Sequence, residues 1–158
     1  MATYLSESIS QKIKHAQELY HRLVLVVAPS GSGKTAALRE IASRLECGYI
    51  NLNLELSRRL LDVTDRQRIL QLPRLVDEIT AGAGSEVVLL DNIEIIFEVS
   101  LKQDPLRLLQ SISRNRTVVT AWNGAMENGY LTYATPDHPE HRRYLARDLV
   151  VASPEVSA

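Results

Sequence analysis

Lys34 and Thr35 are the residues of this sequence most plainly suited to chemistry on a phosphate. They close the segment APSGSGKT, Ala28 to Thr35, in which Ala is followed by a short variable stretch and then by Gly, Lys and Thr. Gly31 and Gly33 allow backbone angles closed to other residues, so the N–H groups of Ser30, Gly31, Ser32, Gly33 and Lys34 can turn inward around an anion. Lys34 then brings a flexible ammonium to the β and γ phosphates of a nucleotide, and the Thr35 hydroxyl can ligate Mg²⁺. Such loops usually begin with Gly, so Ala28 is a mild departure. The competing reading is an ordinary Gly/Ser turn.

Asp91 is the second such residue. An acid at the tip of the apolar run Val87, Val88, Leu89, Leu90 is costly to bury unless something there needs it. Downstream of a phosphate loop that something is Mg²⁺, whose bound waters a carboxylate can hold. The expected metal pair is therefore Thr35 and Asp91, and the expected cofactors are ATP and Mg²⁺. Asn92 stands where many ATPases carry a Glu that polarises the attacking water, and an amide cannot take that proton. Glu94 can reach the same water if the chain turns sharply after Asp91; otherwise it is an exposed acid in an amphipathic turn. Asn123 can contact a γ phosphate or its water, or it can simply make an Asn-Gly turn with Gly124. Arg142 and Arg143 can act as an arginine finger on a neighbouring subunit's nucleotide, or pair with Glu140 or Asp148. His138 and His141 invite a metal reading, but no Cys accompanies them.

The elements that must position these groups are legible in the pattern. Leu23 to Val27 is an unbroken, mostly β-branched run of the kind buried on both faces of a parallel sheet. Residues 1–22 carry Leu5, Ile9, Ile13 and Ala16 at helical spacing, continuing to Leu19 or Tyr20. That helix covers a sheet edge or, alternatively, touches adenine or another subunit. Ala37, Leu38, Ile41, Ala42 and Leu45 form the inward stripe of a helix that Gly48 can close. A second strand is expected over 49–54. The stretch 55–83 reads as two or three short helices, with a Thr64/Gln67 capping box and a break at Pro73. A third strand covers 87–90. Asp104 and Pro105 start a further helix, and 117–122 forms the fourth strand. A hairpin over 122–134, a helical turn over 139–145, a final strand over 149–152 and a frayed end over 153–158 complete the expectation.

Composition sets the bounds. The 158 residues suit one domain, with 45% hydrophobic and 23% charged residues. A formal net charge of -1 gives no reason to expect broad attraction to DNA or to an anionic membrane. The arginines of 58–74 are interleaved with acids, which favours local ion pairs over a nucleic-acid surface. Cys47 is the one cysteine, so an internal disulfide is excluded. The first residues, MATYLSESIS, lack the basic and apolar character of a secretory signal, and the expected location is the cytoplasm.

The chain resembles the additional-strand class of P-loop ATPases that includes AAA-type proteins. More narrowly it is similar to the BrxF family of small P-loop proteins in bacterial BREX phage-defence systems. The segments carrying the resemblance are APSGSGKT at 28–35, NLELSRRLLD at 53–62, VVLLDNIEIIF at 87–97, DPLRLLQSISRNR at 104–116, VVTAWNG at 118–124 and LTYATPDHPEHRRY at 131–144. The resemblance implies a three-layer α/β fold with a five-stranded parallel sheet of order 5-1-4-3-2; the expected absence of a helical lid domain is a departure from the broader AAA-type pattern. It implies ATP as ligand, homo-oligomerisation, and work beside larger BREX proteins: another ATPase, a methyltransferase and a phosphatase-like protein. It favours Asn123 as a sensor and Arg142 as a finger. Asn92 in place of an acid points to hydrolysis that is slow or dependent on assembly. The competing function is a nucleotide-binding assembly module that scarcely hydrolyses. A small-molecule kinase suits the length but lacks an arginine-rich lid and an acid pair for an acceptor.

Overall fold

The computed structural model describes residues 3–154. The last residues of the expected frayed end, 155–158, and the first two of the expected N-terminal helix lie outside the described residues.

The chain runs through α1 (Thr3–Ala16), β1 (Leu23–Ala28), α2 (Lys34–Leu45), β2 (Gly48–Asn51), α3 (Leu52–Arg59), α4 (Asp65–Ala81) and β3 (Val87–Asp91). Two 3-10 turns, Glu94–Phe97 and Val99–Leu101, lead to α5 (Pro105–Ile112). Then follow β4 (Thr117–Glu127), β5 (Tyr130–Tyr133), β6 (Arg142–Leu145) and β7 (Val150–Ala152). Strands β2, β3, β4, β1 and β7 lie side by side in that order, and each neighbouring pair is parallel. This is the parallel α/β architecture the apolar strands call for.

The sheet is larger than expected. Among the described residues it has seven strands, not five, because β5 and β6 extend it antiparallel from the far end of β4. The physical cause is the length of β4, which runs on past Trp122 to Glu127 and turns at Asn128 and Gly129. Both turn residues have positive φ, 51° and 82°, the combination that lets a two-residue hairpin match the strand twist. Asn123 and Gly124 therefore lie inside a strand, not in a turn. A Cβ on Gly124 would come within 1.9 Å of the Thr132 carbonyl oxygen, so only glycine allows β5 to cross there. The expected helical turn over 139–145 is corrected as well. Arg142 to Leu145 is a strand, drawn into register with Tyr133 to Tyr130 by the ladder β5 offers.

The strand faces divide the core. Leu23, Leu25, Val27, Val88, Leu90 and Val118 pack with α3, α4, α5 and the aromatic hairpin on one side. Val24, Val26, Leu89, Val119 and Ala121 pack with α1 and α2 on the other. Leu5, Ile9, Ile13 and Ala16 of α1 are buried as the pattern requires, but the helix stops at Ala16 and leaves Tyr20 68% exposed.

Three boundaries differ for local reasons. The second strand ends at Asn51, whose side chain accepts from Leu54 N at 3.1 Å and caps α3. Helix α2 ends at Leu45 with Glu46 in the left-handed region at φ 52°, while Gly48 opens β2 against Ala83. Pro73 does not break α4, although proline removes one helical donor. The carbonyl so released, Ile69 O, is taken by the Gln103 side-chain amide at 3.0 Å. The Thr64 cap is as expected, accepting from Gln67 N. No helix among the described residues is long and apolar enough to cross a membrane.

Candidate functional site

The loop between β1 and α2 stands at the C-terminal edge of the parallel strands, where strand ends and helix N-termini converge. Gly31 and Gly33 have φ of 81° and 88°, the left-handed angles that turn successive N–H groups to one side. Gly33 immediately precedes α2, so the positive end of that helix faces the loop. Lys34 is buried, and its Nζ donates to Ala28 O at 2.8 Å and Pro29 O at 2.7 Å. Burial pushes its ammonium below the usual lysine pKa, with Asp91 and Glu94 opposing the shift.

Asp91 lies at the end of β3, buried, with donors on both carboxylate oxygens. Oδ2 accepts from the Thr35 hydroxyl at 2.6 Å and from the Tyr49 phenol at 2.6 Å. Oδ1 accepts from Asn92 N at 2.9 Å. Thr35 and Asp91, expected to share a metal, are thus in direct contact across a separation of 56 residues. A hydroxyl and a carboxylate are hard oxygen donors of the kind Mg²⁺ takes, usually alongside phosphate and water. Among the described residues no group of three or more His, Cys, Asp or Glu could hold a metal without such outside ligands. His138 and His141 are engaged locally, His138 Nδ1 accepting from Glu140 N and His141 Nδ1 lying 3.1 Å from Ala134 O.

The chain does turn sharply after Asp91, as Glu94 requires. Asn92 adopts φ 52°, a conformation that asparagine tolerates better than glutamate does, which gives an amide here a backbone reason. The turn sends Glu94 back over the strand ends. Its Oε1 accepts from Asn53 Nδ2 at 3.1 Å and its Oε2 from Asn123 Nδ2 at 2.8 Å. Asn53 is itself fixed, since its N donates to Asn92 O at 2.8 Å and its Oδ1 accepts from Ile95 N at 2.8 Å. Asn123 is placed by the register of β4 beside Ala28 of β1. Below them Phe97 stacks on Tyr133 at 3.5 Å and meets Trp122 edge-on at 5.1 Å, so the hairpin braces the segment that carries Glu94.

These groups line one cleft of about 480 Å³: Ser30, Gly31, Gly33, Lys34, Thr35, Asp91, Asn92, Glu94 and Asn123, with Ala36 and Arg39. Arg142 is not among them. It sits on β6, and its Nη2 donates to Gln103 O at 2.7 Å, while Arg143 stacks over Tyr130 at 3.5 Å. Neither makes the ion pair with Glu140 or Asp148 considered as an alternative; those arginines are spent on a backbone carbonyl and a ring. Ser32 belongs to the loop but does not line the cleft.

Sequence reasoning missed Arg39, Tyr49 and Asn53. Arg39 is one helical turn beyond Thr35, a spacing that places both on one face of α2 and could have been read. Tyr49 and Asn53 depend on the pairing of β2 with β3, which no local pattern reveals. A second cleft, of about 650 Å³, adjoins the loop beside Ala28 and Pro29 and is bordered by Tyr4 and Lys12 of α1 and Met126 of β4.

No family model matches the chain, and no curated protein is similar to it at a significant level. Among solved structures it is similar to C. elegans PCH-2, with a TM-score of 0.47 and 17% identity over 99% of this chain and 42% of that one. The chain thus spans less than half the length of that neighbour, and the site's chemistry is read from its own residues.

Proposed function

We propose that this protein binds ATP with Mg²⁺ in the cleft between the loop and the strand ends, and hydrolyses it slowly as part of an assembly. One observation carries the reading. The phosphate loop, the Thr35–Asp91 contact and the Glu94–Asn123 pair line a single cleft, with Asn53 holding Glu94 from beside it.

Each residue has a defined part. Lys34 leaves the carbonyls of Ala28 and Pro29 for the β and γ phosphates, exchanging neutral acceptors for anionic ones. Thr35 turns a hydroxyl lone pair outward as a ligand while Asp91 holds the water shell. Held by Thr35 and Asp91, Mg²⁺ would supply charge neutralisation at the phosphates. Glu94 takes the proton of the attacking water, and Asn123 aligns that water or the γ phosphate. Glu94 already receives an amide N–H on each oxygen, so a water must share or displace one of them. That bridge, with Asn92 unable to act as a base, supports slow turnover.

The nucleoside end is assigned to the adjoining cleft, where Tyr4 can stack on a base. Tyr4→Ala should then weaken ATP binding several-fold and leave inorganic tripolyphosphate binding unchanged. Arg142 is kept as a finger for a neighbouring subunit, a role that requires it to release Gln103 O. Partnership with BREX proteins rests on the sequence resemblance to the BrxF family, and a cytoplasmic location on the lone Cys47, which suits a reducing compartment.

The second reading, a binding module without hydrolysis, is favoured by the same amide bridge on Glu94. Phosphate release separates the two: steady release from ATP, abolished in Glu94→Gln with ATP binding intact, supports the ATPase. Equal release by both proteins removes Glu94 from the mechanism, and none from either supports the module.

A further inference from the structure

Tyr49 stands behind the cleft and has no part in the chemistry just described, yet its hydroxyl is committed to the metal-side carboxylate. Tyr49 lies on β2 in register with Leu89, so its side chain shares the face of β3 from which Asp91 projects and reaches it diagonally. The phenol donates to Asp91 Oδ2 at 2.6 Å. Arg39, from the same face of α2 as Thr35, places its guanidinium 5.3 Å from the centroid of the Tyr49 ring and also lines the cleft.

The arrangement of donors gives the phenol a purpose that Thr35 cannot serve. Thr35 and Tyr49 donate to the same carboxylate oxygen. If the Thr35 oxygen serves a cation, its proton no longer has to point at Asp91. Tyr49 and the backbone N–H of Asn92 then remain as the two donors that hold the carboxylate plane. A phenylalanine would fill the same space on the sheet edge without that hold. We propose that Tyr49, buttressed by Arg39, is a positioning residue that fixes the Asp91 carboxylate for the divalent cation and so sets how strongly cation and nucleotide bind together.

This rests on the ATP–Mg²⁺ reading of the cleft, and the experiment separates the two. The probes are Mn²⁺ and a non-hydrolysable ATP analogue. Affinity for the analogue is measured by calorimetry with Mn²⁺ and again in EDTA, for the parent protein, Tyr49→Phe and Arg39→Gln. The ratio of the two affinities is the coupling between cation and nucleotide. Electron paramagnetic resonance of the bound Mn²⁺ reports its ligand field without reference to turnover.

The expected result is a ratio about five- to tenfold smaller in Tyr49→Phe, the scale of one ordinary net hydrogen bond, since Asn92 N still holds the carboxylate. The EDTA affinity should stay within about twofold of the parent, because no phosphate contact is removed. Arg39→Gln should shift the ratio in the same direction by less, and the Mn²⁺ spectrum of Tyr49→Phe should broaden as the carboxylate loosens. An unchanged ratio in Tyr49→Phe overturns the proposal while leaving the ATP reading in place. So does a parallel loss in both conditions, which marks a merely structural role. A parent protein that binds the analogue in neither condition overturns both.

Discussion

At the scale of single residues, the loop lysine is the clearest test of what the cleft holds. Lys34→Ala removes an ammonium that can make charge-assisted contacts to phosphate, and should weaken ATP binding by about 2–3 kcal/mol, or roughly 30- to 150-fold. Calorimetry checks this directly. The lysine also predicts a pH dependence of definite sign. Burial holds its pKa below the ordinary value of 10.5. Phosphate binding favours the protonated form, so affinity is fully present at neutral pH and is lost as pH rises through the lowered pKa. Lys34→Arg keeps its charge throughout. Its affinity should stay flat up to about pH 10 while that of the parent declines. A parent curve as flat as that of the arginine variant would contradict the assignment.

At the scale of elements, the junction between α4 and the 3-10 turn at Val99–Leu101 shows how the fold accommodates a misplaced residue. Pro73 reads as a helix breaker, and local propensity cannot say otherwise. What rescues it is a side chain 30 positions away, Gln103 reaching Ile69 O, with Ile69 and Gln103 separated by 34 residues. Gln103→Ala should therefore cost about 1–2 kcal/mol in chemical denaturation, the expense of leaving one helical carbonyl without its partner. Replacing both Pro73 and Gln103 by Ala should cost less than the Gln103 change alone, because the alanine N–H restores the helical bond. The same contrast explains what the sequence did and did not disclose. Runs such as Leu23–Val27 and Val87–Leu90 specify buried strands by composition, and the Asp104-Pro105 start follows from capping chemistry. The boundary at Asn51, the strand at Arg142–Leu145 and the hairpin that makes the sheet seven-stranded depend on partners far along the chain. Gly124 is the sharpest case, since its need for a missing Cβ exists only because Thr132 lies opposite.

At the scale of the whole molecule, the site divides in the same way. The loop and Asp91 were readable because their chemistry is written in residue type and spacing. Asn53 of α3 and Tyr49 of β2, which hold Glu94 and Asp91, were not, because they become neighbours only through the parallel pairing of β2 with β3. Arg142 shows the converse: its residue type suits a finger, yet within its own chain it is tied to Gln103 O, outside the cleft. If it serves a second subunit, turnover per chain must rise with protein concentration, and Arg142→Ala must flatten that rise without altering ATP affinity. Light scattering with and without ATP and Mg²⁺ tests assembly independently. Assembly and turnover that ignore both nucleotide and concentration would contradict a shared site.

The central claim is that one cleft binds ATP with Mg²⁺ and that Glu94 drives its hydrolysis. The most direct measurement is phosphate release from ATP by the parent and by Glu94→Gln, at matched, saturating occupancy of ATP established by calorimetry. The prediction is slow, Mg²⁺-dependent release by the parent and at least about a hundredfold less by Glu94→Gln, the scale of losing a general base. Equal release from the two proteins at equal occupancy, or no ATP bound by the parent, would contradict it.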